Sequence, residues 1–206
     1  MINQANKSKD RVGTFGASDT HFIMGNWNTA TFLNWWQSKL GIKDTNFSNV
    51  YVLAGTYKEH QIADWYEQKF NVKLTRDRRH RVPFSRLVIN YDSETKTKDI
   101  EIKTFKMTDK DWVYPRNYWE QVQVQMYGGK KQAEIVAYGL IDEDYDNFYL
   151  PIDETRIKIF PIEYDKEWVY TEYLPREKYL EWCLKKRKTP NMREFKEREN
   201  DVKNKS

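Results

Sequence analysis

The chain has 206 residues, enough for one domain with a sizeable core, and its single cysteine, Cys183, excludes an internal disulfide and any cysteine-based zinc cluster. Hydrophobic residues make up 39%, aromatics 16% and charged residues 32%, which places the chain among folded globular proteins and outside the disordered class. The net charge of +4 decides little by itself, no run is long enough to span a membrane, and the polar start MINQANKSKDR lacks the apolar stretch of a secretory signal, so a cytoplasmic protein is expected.

In chain order, Met1 to Asp10 is polar enough to fray. A helix is expected from Thr29 to Leu40, with Phe32, Leu33, Trp36 and Leu40 at helical spacing and Gly41 as its stop. Trp35 and Trp36 read as core rather than as a base-stacking platform. A second helix, Thr56 to Phe70, carries Ile62, Ala63, Tyr66 and Phe70 on one stripe. The knot Arg76, Arg78, Arg79, His80 and Arg81 is either a solvated face or a patch for DNA phosphates.

Leu87 to Asp92 and Asp99 to Phe105 alternate as strands do, with Ser93 to Lys98 as the hairpin turn between them. A helix follows from about Asn117, with Glu120 in a capping-box position and Gly128-Gly129 as its stop. Ala133 to Leu140 and Arg156 to Ile162 read as further strands. A last helix opens after Pro175 with Leu180, Cys183 and Leu184 on its apolar side. A second basic run, Lys185 to Lys188, comes next. Residues 191–206 read as a basic, flexible tail, leaving 1–190 as a single domain. The order and mixture predict an α/β or α+β fold, with a small central mixed sheet flanked by helices.

The chemistry concentrates in Tyr91 to Lys103, YDSETKTKDIEIK. Alternation puts Asp92 and Asn90 on one face of the first strand. It puts Glu101 and Lys103 on one face of the second, with Ile100 and Ile102 on the other. If the apolar faces pack together, Asp92, Glu101 and Lys103 converge. Two carboxylates together favour a hard divalent cation, and a neighbouring lysine can hold an attacking water or offset phosphate charge. The same triplet is also what a solvated, charged hairpin looks like. Glu59 falls in the middle of the apolar stripe of its helix, where an acid is costly unless it is paired or bound to metal.

These residues resemble the PD-(D/E)xK nuclease superfamily, and more closely the lambda-type phage exonucleases and the YqaJ-like viral recombinase family. Four segments in the right order carry the resemblance from about Arg11 to Met126. RVGTFGASD matches Arg11 and Ser18 to the pair that holds the DNA 5′-phosphate, and GTYKE places Glu59 on a helix-borne acid. YDS…EIK matches the P-D-G…E-x-K pattern, and QVQVQM places Gln121 on an active-site glutamine. Tyr91 and Ser93 stand where the family has Pro and Gly. The spacing to Glu101 is about one residue short, so Asn90 competes with Asp92 for the acidic slot; the charged residue is the better Mg2+ ligand.

The resemblance implies a PD-(D/E)xK restriction-endonuclease-like core and Mg2+-dependent (or Mn2+-dependent) exonuclease activity on linear duplex DNA, 5′ to 3′. Asp92, Glu101, the Ile102 carbonyl and Glu59 would hold the metal. Lys103 and Gln121 would position the water, and Arg76, Arg78, Arg79 and Arg81 would track the DNA backbone. It further implies a phage- or prophage-encoded protein of the bacterial cytoplasm, a homotrimeric ring, and a single-strand annealing protein as partner. The competing readings are an endonuclease of the same superfamily, which would cut closed circles, and a non-catalytic DNA-binding protein that kept the fold.

Overall fold

A computed structural model describes residues 11–43, 50–107 and 114–203, so the start expected to fray, Met1 to Asp10, lies outside the described residues. Helices α1 (Thr20–Met24), α2 (Ala30–Lys39), α3 (Val50–Phe70), α4 (Arg116–Gly129), α5 (Asp142–Asp146), α6 (Leu174–Lys185) and α7 (Met192–Lys203) accompany five strands. These are β1 (Thr75–Arg81), β2 (Val88–Glu94), β3 (Lys98–Lys106), β4 (Gln132–Leu140) and β5 (Ile157–Ile162), in the spatial order β1-β2-β3-β4-β5. β2 and β3 are antiparallel, β3 and β4 parallel, and β4 and β5 antiparallel, so the sheet is mixed, as expected. The parallel step needs a crossover, which α4 supplies.

The chain forms two compact units. In the unit of residues 47–80 and 89–164, both faces of the sheet are covered. Ala54, Ile62, Ala63 and Tyr66 of α3 pack on Ile100, Ile102, Val136, Tyr138 and Leu140. On the opposite face Val122 and Met126 of α4 pack on Ala133, Ile135, Ala137 and Ile162. Burial on both faces is why β4 is buried at every position after Gln132 instead of alternating.

Several boundaries differ from the sequence expectation for identifiable reasons. α3 begins at Val50 rather than Thr56; Gly55 and Thr56, which read as a start signal, are inside it. A Cβ on Gly55 would come 2.9 Å from the Thr104 hydroxyl, so this glycine lets α3 approach β3 closely. The fully buried charged residue of the α3 stripe is Lys58, not Glu59, which is half-buried, and Phe70 is exposed. Lys58 is neutralised by Asp144 at 2.8 Å and donates to the Leu150 carbonyl, while Arg156 pairs with the same carboxylate at 2.6 Å. Of the α2 stripe, Leu33 is exposed, whereas Trp35 and Trp36 are core, as expected.

The arginine knot forms the strand β1, with Asp77 at a positive φ of 55° in its middle. α4 is capped at Pro115, without a side-chain cap from Asn117, and Glu120 pairs with Arg116 at 3.5 Å instead of closing a capping box. Its left-handed terminator is Lys130, one residue beyond the two glycines.

The second unit comprises residues 81–88, 165–203 and the described part of the N-terminal segment. Asp19 is its polar anchor, accepting from the Gly16 N–H, the Trp35 indole and the Lys39 ammonium. The segment expected to be a flexible tail is helical from Met192 to Lys203. Its Phe195 is buried against Trp27 and Tyr179, with ring centroids 5.6 and 5.5 Å away.

In the same unit Ser85 donates to both Glu177 and Glu181, and the Arg86 N–H also donates to Glu181. Burial, then the neighbouring Glu181 charge, pushes the Glu177 carboxyl up to about 8, with Ser85 and Lys178 pulling the other way. A raised carboxyl pKa means that stability is fully present below the unfolded value near 4.5 and is lost as pH rises through about 8. The loss is at most about 1.4 kcal/mol per pH unit. Glu177→Gln is therefore expected to match the wild type in urea unfolding at pH 4.5 and to exceed it in stability at pH 9. A variant that is weaker at pH 9 would contradict this origin of the penalty.

Candidate active site

The site grows out of a local break in the sheet. β2 and β3 pair at Ser93↔Ile100 and Glu94↔Asp99. At Asp92 the side chain replaces the ladder: its Oδ2 accepts from the Ile102 N–H at 2.9 Å. The N–H and C=O of one strand residue project to the same edge, so the Ile102 carbonyl also faces the Asp92 side. Asn90 is exposed, and it is Asp92 that meets β3.

Glu101 lies under α4 and is 2% exposed. Its Oε1 accepts from Lys103 Nζ and Gln121 Nε2, and its Oε2 accepts from Gln125 Nε2, each at 2.5 Å. The three donors compensate a carboxylate that would otherwise be costly to bury. Glu101, Lys103 and Gln121 are thus brought together, and Asp92 meets the same strand at Ile102. The glutamine missed from sequence is Gln125, one helical turn beyond Gln121; the i,i+4 rule applied to QVQVQM would have found it.

The electrostatics are those of an acidic cluster with too little positive charge. The Asp92 carboxyl is pushed well above the ordinary range by its burial, then by Glu101 and Glu59; Lys103 and the Ile102 N–H oppose the shift. Glu59 is raised by burial and by Glu101 and Asp77, with His60 and Lys103 opposing. Burial disfavours the charged form of Lys103, but Glu101 and Asp92 outweigh it and hold its ammonium above the usual lysine range. Glu59, Gly55 and Thr56 of α3 and Ile102, Lys103 and Thr104 of β3 line an open cleft of about 330 Å³.

The donor set suits a hard divalent cation: the acidic side chains and a backbone carbonyl are all oxygen donors, and the clustered negative charge is what a cation would relieve. Among the described residues no three His, Cys, Asp or Glu side chains form a ready-made cage. Coordination would therefore draw on water and the carbonyl as well, as Mg2+ commonly does.

Other expected contacts divide. Arg76 pairs with Asp64 and Glu67 at 2.7 and 2.6 Å, and Arg78 pairs with Glu94 while its guanidinium stacks 4.5 Å from the Tyr91 ring centroid. Arg79 and Arg81 are exposed. The knot is therefore half internal cross-link and half exposed charge. Arg11 and Ser18 belong to the second unit and are both exposed. The N-cap of α1 is Asp19, so Ser18 is not its cap.

The family model of the YqaJ-like viral recombinase domain matches residues 8–132. No curated protein sequence matches the chain. Among solved structures, the alkaline exonuclease LHK-Exo from Laribacter hongkongensis is similar at 19% identity and TM-score 0.66, over 98% of this chain and 100% of that one. Its complex with dAMP gives 18%, 0.67, 99% and 100%. A phage-related exonuclease from Haemophilus somnus 129PT gives 17% identity and TM-score 0.62, over 84% of this chain and 96% of that one. At these identities the likeness establishes a shared fold.

The cluster makes a prediction that needs no substrate. In Asp92→Asn the amide oxygen can still accept from Ile102, but the charge enclosed beside Glu101 and Glu59 is gone. At pH 8 in chelating buffer the variant is expected to be more stable than wild type by about 0.5–2 kcal/mol. Denaturant melts compare the two, and a destabilised variant would contradict the repulsion inferred here.

Proposed function

The chain belongs to the YqaJ-like viral recombinase family, and from that premise we propose that it is a Mg2+-dependent exonuclease of linear duplex DNA. It digests 5′ to 3′ and leaves single-stranded tails for phage homologous recombination. The observation that carries this reading is the junction of Asp92, Glu101 and Lys103 under Gln121 and Gln125. The exonuclease names of its structural neighbours support the same direction.

Asp92, Glu101, the Ile102 carbonyl and Glu59 would hold Mg2+, with Mn2+ as a substitute. When bound, the metal acidifies a water and neutralises charge developing on the phosphate. Lys103, held by Glu101, would orient the attacking water or offset charge on a phosphate oxygen. Gln121 holds Glu101 from the α4 side and fixes where its free lone pairs lie. The buried Gln125 contact keeps the carboxylate from rotating as substrate arrives.

The remaining features of the proposal are a homotrimeric ring, a location in the bacterial host cytoplasm and a single-strand annealing protein that takes up the tail. No helix among the described residues is long and apolar enough to cross a membrane. Exposed Arg79 and Arg81 would contact DNA phosphates independently of sequence.

Purified protein with Mg2+ is expected to digest linear duplex and leave closed circles intact. Asp92→Ala and Glu101→Ala should lose at least about a thousandfold in rate, the scale of losing a charge-stabilising group, while still binding DNA. Digestion in EDTA, or by either variant, would refute the metal mechanism, and cutting of circles would refute the exonuclease.

Arg11 and Ser18 would hold the terminal 5′-phosphate, through the guanidinium fork and a hydroxyl. Arg11→Ala is then expected to slow 5′-phosphorylated ends roughly tenfold relative to 5′-hydroxyl ends, as the loss of one charge-assisted hydrogen bond implies. Single-turnover rates on both ends decide it, and an unchanged ratio would remove the pocket from the account.

A further inference from the structure

On the α4 face of β3, beside the candidate catalytic lysine, lies a second space of about 230 Å³. Phe105, Tyr114, Tyr118, Ala137 and Phe160 line it, and Lys103 is the charged residue in its wall. The sheet register explains why the space exists. Ala137 stands directly opposite Lys103 on the neighbouring strand, and its single methyl leaves a gap where a larger side chain would fill the layer.

The aromatic rings around that gap are held in place. Tyr114 meets Phe160 edge-on, with centroids 5.0 Å apart. Lys103 Nζ lies 5.3 Å from the Tyr118 ring centroid, and Lys158 Nζ lies 5.2 Å from that of Phe160. Phe105, Tyr114, Tyr118 and Phe160 are all half-buried, so their rings are neither sealed in the core nor fully in water.

The chemistry of the wall selects the occupant. It offers four aromatic rings to a flat, apolar body, with the Lys103 ammonium at one side for a linked anion. A volume below the roughly 300–1,000 Å³ of drug-sized pockets suits one small ring system and not a peptide helix. We propose that this pocket receives the nucleobase of the nucleotide whose phosphate is handled at Lys103 and Glu101, a subsite that rests on the nuclease reading for where that phosphate lies. Stacking on aromatic faces tolerates any base, because every base has a π-face. Among the described residues the lining supplies no side-chain amide or carboxylate, and the Tyr114 and Tyr118 hydroxyls, which can each donate or accept, suit the edge of any base, so the subsite takes all four bases.

The test is equilibrium binding to the full-length protein of two probes, deoxyadenosine monophosphate and 2-deoxyribose 5-phosphate, by isothermal titration. They share the sugar phosphate and differ in the base. Wild type is expected to bind the nucleotide roughly tenfold more tightly, the effect of one stacked base. Phe160→Ala should bring the two affinities together, and Phe160→Tyr, which keeps a ring face, should retain the difference. Ala137→Leu, which fills the space without removing an aromatic residue, should abolish it too; melting curves check that each variant is folded. Equal affinities in wild type, or discrimination that survives in Phe160→Ala or Ala137→Leu, would overturn the subsite. Discrimination by a protein that cleaves no DNA would support the pocket while refuting the nuclease reading, so the two failures are separable.

Discussion

A carboxylate buried under a helix is the constraint on which the rest of the site depends. Glu101 sits on a strand whose face is covered by α4, and removing an ionised carboxylate from water costs several kcal/mol unless donors compensate. The compensation comes from Lys103 two residues along the same strand and from Gln121 and Gln125 on α4. Each of these residues is thereby fixed by the need to satisfy Glu101. Lys103 has its rotamer chosen, α4 has its rotation chosen, and β2 must part from β3 for Asp92 to reach the Ile102 N–H. The arrangement is stable in one geometry and carries excess negative charge in it, the combination expected of a site built to accept a cation.

The two-sided packing of the sheet does the positioning. α3 and α4 cover opposite faces of β3 and β4, so groups from both helices reach the strand that carries Glu101 and Lys103. Gly55 allows α3 close to Thr104, and Glu59 one turn later faces the cleft from that side. Next to it, Lys58 is fully buried and tied to Asp144 and the Leu150 carbonyl. Removing one partner of such a pair costs about 3–5 kcal/mol, which makes this contact a strong constraint on the angular setting of α3.

Much of this was legible in the sequence, for physical reasons that differ by element. The β2–β3 hairpin showed because alternation is a direct image of the pleat, and its polar residues Asp92, Glu101 and Lys103 converge as alternation requires. Gln121 was reachable through the family resemblance; Gln125 was missed although the same helix face carries it. β1 was hidden because a run of arginines lacks the apolar alternation that marks a strand, and the Asp64, Glu67 and Glu94 carboxylates that neutralise it come from elsewhere in the chain. Periodicity set Glu59 at the centre of its stripe because it does not register that a lysine one residue earlier could be buried if Asp144 met it. The helix Met192–Lys203 was illegible because, among its described side chains, Phe195 is the buried one and the residues around it are mostly charged.

Direct metal binding tests, without reference to cleavage, whether Asp92 and Glu101 hold a hard cation. Titration of Mn2+ into the DNA-free protein, with free ion followed by electron paramagnetic resonance, is the measurement. Saturable binding is expected in wild type, weakened roughly tenfold or more in Glu101→Gln, the scale of losing a charged metal contact. Competition by Mg2+ is expected at the same site. Mn2+ binding of equal strength in wild type and Glu101→Gln would place the metal elsewhere and contradict the central claim.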